Sequence, residues 1–258
     1  MRFDLCPREP WVLPITGGLR VDFPPCVGWL FDRLRAPSPD VREELTARNF
    51  VFRDNPRRSI LREVMHEAAR LLAASPRLEI AIQAAVGQII LLRARPSFDV
   101  SHSEPRWPQA IFITVPSRQT QVSALRSAEN IVHEAMHLQL TILEGVNPLI
   151  ADGTSKMASP WRLEPRDYQG ILHGVYVFRC IAEYFAELSF RGILDNEGAN
   201  YITRRRAQIA DELSQVDFER LALGLTCSGQ HFLAALTNDP GTSEPHETRR
   251  HRMAIGRD

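Results

Sequence analysis

Apolar residues recur at helical spacing along most of the chain, and this pattern predicts a mainly α, α+β protein: a helical single domain with a small β element. The first thirty residues differ. Several prolines, the Gly17-Gly18 pair and short apolar pieces such as Trp11-Val-Leu suit extended segments and turns, so a short hairpin or N-terminal arm is expected there. Ser38 with Pro39 in the first turn opens a helix, and Asn55-Pro56 opens another with Leu61, Val64, Met65, Ala68, Leu71 and Leu72 on its apolar face. The most apolar run, from Ile80 to Leu92, reads as part of a buried helix starting at Pro76 and reaching about residue 93. Residues 94–109 read as a loop, and Ala110-Ile-Phe-Ile-Thr-Val, bounded by Pro108 and Pro116, reads as a strand.

Helical periodicity returns from Ser117 to about Leu143, and a Gly-, Ser- and Pro-containing loop follows from Gly145 to Pro165. The next helix, from Tyr168 to Phe190, carries Ile171, Val175, Phe178, Phe185 and Leu188 towards the core. Two more are expected over residues 200–216 and 218–236. Residues 1–237 are thus expected to form one domain, and 238–258, with Pro240, Gly241 and Pro245, a polar and flexible tail.

Composition narrows the field. The 258 residues, 44% hydrophobic and 24% charged, suffice for a sizeable core and exclude disorder along the whole length. The 31 basic and 31 acidic side chains cancel, which leaves no global positive field for nucleic acid or an anionic membrane. Arg204-Arg-Arg and Arg249-Arg-His-Arg read as a solvated helix face and a tail. The N-terminus lacks the charged and apolar regions of a secretory signal, and the run from Ile80 to Leu92 is too short to span a bilayer, so a cytoplasmic location is expected. Cys6, Cys26, Cys180 and Cys227 form no C-x-x-C pair and suggest neither a zinc ribbon nor an iron–sulfur site.

The sharpest chemical signal is His133-Glu134-Ala-Met-His137 inside an apolar-periodic segment. At 3.6 residues per turn the two histidines stack on one helix face, where both imidazoles can bind one metal ion with Glu134 beside them. A third ligand must come from an element packed against this helix, and His173, followed by Gly174, leads. Asp167, Glu183 and Glu187 are rivals; Glu187 shares the face of His173, but about 21 Å of helical rise separates the two. His66-Glu67-Ala-Ala-Arg70 mimics the motif, yet arginine stays protonated and cannot ligate a metal. His102 stands near Glu104 in the 94–109 loop without a spaced partner. Upstream of His173, Ser159-Pro-Trp161-Arg162-Leu-Glu-Pro-Arg166 gathers two arginines whose planar forks match a carboxylate.

Taken together, His133-Glu-Ala-Met-His137, Ser159-Pro-Trp-Arg162 with Arg166, and Leu172-His173-Gly174 resemble the αKG-HExxH family, iron- and 2-oxoglutarate-dependent peptide β-hydroxylases of ribosomal peptide natural-product pathways. The resemblance covers residues 128–190 best. It implies Fe(II) held by His133, His137 and His173, with 2-oxoglutarate gripped through its distal carboxylate by Arg162, Arg166 second, in a site that includes Trp161. It implies O2 and a precursor peptide as the other reactants, a mainly helical fold, and an orienting role for Glu134. Three histidines depart from the usual pair of histidines with one carboxylate in non-haem iron oxygenases.

Two other readings use the same residues. A zinc metallopeptidase would bind zinc through His133 and His137 and use Glu134 to activate water, but has no evident need for a dicarboxylate clamp. A noncatalytic peptide-binding protein would tolerate loss of both histidines.

Overall fold

The computed structural model describes residues 28–53, 59–93 and 99–237; residues 1–27 of the expected N-terminal arm, the Asn55-Pro56 helix start and the polar tail lie outside the described residues, while Trp29 and Leu30, expected to be extended, are helical. Within them the protein is mainly α-helical with a small mixed sheet and a separate hairpin. In chain order the elements are α1 (Trp29–Asp32), β1 (Leu34–Arg35), α2 (Pro39–Ala47), α3 (Ser59–Ala73), α4 (Pro76–Ala85), β2 (Gln88–Leu92), β3 (Ser101–Ser103), β4 (Ala110–Thr114) and α5 (Gln121–Val146). Then follow β5 (Lys156–Ser159), β6 (Arg162–Asp167), α6 (Tyr168–Arg191), α7 (Asn196–Ser214), α8 (Phe218–Leu223) and α9 (Cys227–Thr237).

The expected helix from Pro76 stops at Ala85, and Gln88–Leu92 is a strand. β2 pairs in parallel with β1 and with β4, while β3 lies antiparallel on the far side of β4, giving the order β1-β2-β4-β3. Side chains alternate across such a strand. Ile89 and Leu91 join Ile111 and Ile113 of β4 in the main core, whereas Ile90 and Leu92 join Ala110 and Phe112 in a second cluster capped by Val41, Leu45 and Phe52. A strand buried on both faces reads as an unbroken apolar run, which periodicity alone does not separate from a buried helix.

Two expected loops also contain strands. β3 is only Ser-His-Ser, too short to carry alternation, and the β5–β6 hairpin is almost wholly exposed, so neither has an apolar face to betray it. The last expected helix is two, α8 and α9, broken where the Thr226 backbone N–H turns to the Leu149 carbonyl at 2.9 Å.

The 26-residue α5 runs through the middle of the main core, against α3, α4, α6, α7 and β4. Thr120 caps it, accepting the Ser123 N–H at 3.1 Å, and Ala124, Leu125, Ala128, Ile131, Val132, Ala135 and Met136 are fully buried. Each large aliphatic side chain so buried contributes about 1.5–3 kcal/mol, so this helix is held on several sides. α6 starts on Asp167, whose carboxylate accepts the Gly170 N–H at 2.7 Å, and stops at Gly192, where φ of 63° is left-handed and costs glycine nothing. Among the described residues no helix is long and apolar enough to cross a membrane.

Candidate metal centre

His133 and His137 sit one turn apart on α5, their ring centroids 4.9 Å apart and the planes tilted by 64°. His173, in the second turn of α6, stacks on His137 with centroids 5.4 Å apart and planes 19° apart, bringing the two Nδ1 atoms to 3.1 Å. The packing of α5 on α6 dictates this: Val132, Ala135 and Met136 on one helix and Leu172, Val175 and Tyr176 on the other are buried next to the histidines. Among the described residues, no three His, Cys, Asp or Glu side chains stand as a formed metal site. The donor chemistry nonetheless fits a transition-metal ion, for which imidazole is a good ligand. With metal–nitrogen bonds of about 2.0–2.1 Å, two nitrogens sharing one ion stand about 2.9–3.4 Å apart, a range that includes the His137–His173 separation.

Burial holds His133 down to about 4, helped by the charges of Arg205 and Arg162. Burial also holds His137 well below the ordinary histidine range, with His133, His173 and Arg166 adding to it. Both imidazoles are therefore neutral at physiological pH, the form that binds a metal. Glu134 moves the opposite way: burial pushes its carboxyl up to about 7, against the pull of the Ser101 and Ser103 hydroxyls. The Ser103 hydroxyl donates to Glu134 Oε2 at 2.6 Å, while Oε1 lies 3.9 Å from His133 Nε2.

These side chains share a cavity of about 460 Å³. His133, Glu134 and His137 come from α5, His173 from α6, Ser101 and Ser103 from β3, and Arg162 and Arg166 from β6. The two arginines, four residues apart, lie on one face of β6, and the Arg166 guanidinium passes over Gly170, whose missing side chain makes room for it. The histidines and both arginines singled out in the sequence are thus brought together. Trp161 is not part of the lining: its ring stacks on Phe178 at 5.1 Å and lies over Gly174, with Nε1 buried and without a hydrogen-bond partner among the described residues. The room left by Gly174 is taken by the indole of Trp161.

Of the rival ligands, Asp167 borders the cavity but is committed to capping α6. Glu187 accepts from Ser75 and Arg191, and Glu183 lies near Cys180 and Tyr176; neither lines the cavity. His66 is exposed, and Glu67 pairs with Arg70 at 2.6 Å on the same surface turn. His102 does reach the cavity, its Nε2 2.8 Å from Glu104, which also holds Arg48. Sequence reasoning missed Ser101 and Ser103, which carry no local pattern, and Glu144. The last had a signal: 133, 137, 141 and 144 fall on one stripe of a helix.

No protein-family model and no curated protein matches this chain.

Proposed function

We propose that this chain is an Fe(II)- and 2-oxoglutarate-dependent oxygenase that hydroxylates an unactivated β-carbon of a residue in a ribosomally made precursor peptide. The observation that carries the reading is the composition of one cavity, in which Arg162 and Arg166 line the same space as His133, His137 and His173. A metal ligand set beside two guanidinium groups suits a co-substrate that chelates at one end and carries a second carboxylate at the other. The resemblance of residues 128–190 to the αKG-HExxH family supports the same chemistry.

On this reading the three histidines hold the iron and one arginine, Arg162 ahead of Arg166, takes the distal carboxylate of 2-oxoglutarate. Fe(II) held there would activate O2, the oxidant, for C–H hydroxylation, with 2-oxoglutarate giving up two electrons as it becomes succinate and CO2 and the two oxygen atoms ending in succinate and in the new hydroxyl. The protein's own part is positioning. His133 and His137 offer lone pairs without first losing a proton, because burial keeps them neutral. The arginines supply fixed positive charge near the histidines, Arg162 acting on His133 and Arg166 on His137. Glu134, held by Ser103, is placed to orient a ligand or substrate group by hydrogen bonding.

Anaerobic reconstitution with Fe(II), then 2-oxoglutarate and O2, tests this through succinate release. Wild type is expected to form succinate, and Arg162→Ala and His173→Ala to lose at least 90% of it. Absence of succinate in iron-loaded wild type supplied with peptide overturns the reading.

One observation favours a second reading, a zinc metallopeptidase. A carboxyl pushed up to about 7 beside a histidine of the motif has the proton affinity of a general base working at neutral pH. That enzyme would cleave a peptide pool with zinc bound, independently of 2-oxoglutarate and O2, and would lose activity in Glu134→Gln.

A further inference from the structure

Glu144 lies on α5 seven residues beyond His137, on the stripe that faces α6, and its side chain is only 11% exposed. Its Oε2 is 3.1 Å from His173 Nε2 and accepts at 2.7 Å from the side-chain Nε2 of Gln169, one helical turn before His173. Its Oε1 is buried with no hydrogen-bond partner among the described residues. A carboxylate so withdrawn from water is costly unless it holds a proton donor in place.

An ionised carboxylate has only lone pairs to offer. At 3.1 Å it is attractive to His173 if Nε2 carries the proton and repulsive if Nε2 carries a lone pair. The two tautomers of neutral imidazole are mutually exclusive, so a proton on Nε2 leaves Nδ1 bare. Nδ1 is the atom 3.1 Å from His137. We propose that Glu144 is a positioning residue of this centre: it accepts the Nε2 proton of His173 and so makes Nδ1, on the His137 side, the ring's lone-pair donor. In the metal-free chain His137 Nδ1–H then donates to His173 Nδ1, which orders the protons along Glu144, His173 and His137. A ring nitrogen held by a carboxylate is also the usual support of a metal-binding histidine, and its loss typically costs about 10–100-fold in metal affinity.

The assignment of tautomer stands on the metal-free chain; its consequence for metal binding rests on the proposed function above. Two measurements keep these apart. In full-length, metal-free protein with ¹⁵N-labelled histidine, long-range ¹H–¹⁵N correlation spectra read the tautomer of each of the eight histidines, with His173→Ala assigning the signal of interest. Wild type is expected to carry its His173 proton on Nε2, and Glu144→Leu to shift towards a mixture or to Nδ1–H. A wild-type proton on Nδ1, or no change in Glu144→Leu, overturns the proposal. Should Glu144→Leu not fold by circular dichroism, Glu144→Gln keeps the shape and removes the charge, and a weakened Nε2–H preference is expected there; an undiminished one counts against the proposal.

Titration with Co(II), followed by its visible absorption, is the second measurement. Affinity is expected to fall about 10–100-fold in Glu144→Leu and by less in Glu144→Gln. Wild type that takes up no Co(II) defeats the metal reading, while the tautomer spectra still decide the role of Glu144; tight Co(II) binding unaffected by Glu144→Leu defeats the positioning role.

Discussion

Gly174 sits in the interior of α6, where alanine is ordinarily better than glycine by about 1 kcal/mol. Here a Cβ would stand 2.7 Å from Cε3 of Trp161 and closer still to the neighbouring ring carbon, and the indole is held against Phe178. A rigid ring stacked on another does not yield as a flexible side chain does, and overpacking of this kind costs about 1–3 kcal/mol. Gly174→Ala should therefore be neutral to destabilising by about 2 kcal/mol, the collision less the helix gain. In a Trp161→Leu background the ring is gone, and the same substitution should stabilise by about 1 kcal/mol. Trp161→Leu alone should cost about 0.5–1.5 kcal/mol of aromatic stacking plus lost burial. Chemical denaturation of wild type, both single variants and the double variant closes the cycle, with a coupling of about 1–3 kcal/mol expected between adjacent sites. Stabilisation of the wild-type chain by Gly174→Ala as large as that of the Trp161→Leu chain would show that the indole does not occlude this position.

Phe112, fully buried in the centre of β4 beneath α2, should cost about 3–5 kcal/mol when changed to Ala, visible as a lower denaturation midpoint; a loss under 1 kcal/mol would deny the second core cluster its place. In the metal-free chain His133 and His137 stay neutral in the fold while the unfolded chain protonates both near pH 6.5, so stability falls as pH falls below that value, by about 1.4 kcal/mol per pH unit for each proton. Glu134 opposes this: protonated in the fold from about pH 7, it adds stability that is complete below about 4.5 and is lost as pH rises through 7. Two histidines against one carboxyl leave a net loss of about 1.4 kcal/mol per unit between pH 6 and 5, and denaturation curves that are flat or rise on acidification there would contradict it. Ser103→Ala removes the 2.6 Å donor to Glu134 and should raise that carboxyl further, detectable by ¹³C-carboxyl NMR titration of the metal-free protein; an unchanged titration would place the hydrogen bond elsewhere.

The longer helices were legible from their apolar stripes, as in α5 and α6, and Ser38-Pro39 marked the start of α2. β4 was legible because Ala110–Thr114 is β-branched and aromatic between prolines. β2 was not, since Gln88–Leu92 is buried on both faces and loses the alternation that marks a strand. For the candidate site, residues fixed by helix geometry could be grouped from spacing, as with His133 and His137. That Arg162 and Arg166 face the same cavity depends on the β5–β6 hairpin, whose polar residues carry no periodic signal. Trp161, which the resemblance includes in the site, is held by tertiary packing against Phe178 and over Gly174, which no local sequence pattern shows.

Whether the three histidines and the two arginines act as one centre is tested most directly without turnover. Fe(II) and 2-oxoglutarate are added anaerobically, and the visible charge-transfer absorption of the chelate is recorded against 2-oxoglutarate concentration. Wild type should develop the band, His133→Ala and His137→Ala should not, and Arg162→Ala or Arg166→Ala should require at least tenfold more 2-oxoglutarate. A protein that binds zinc tightly and gives no band with Fe(II) at any 2-oxoglutarate concentration would contradict the account.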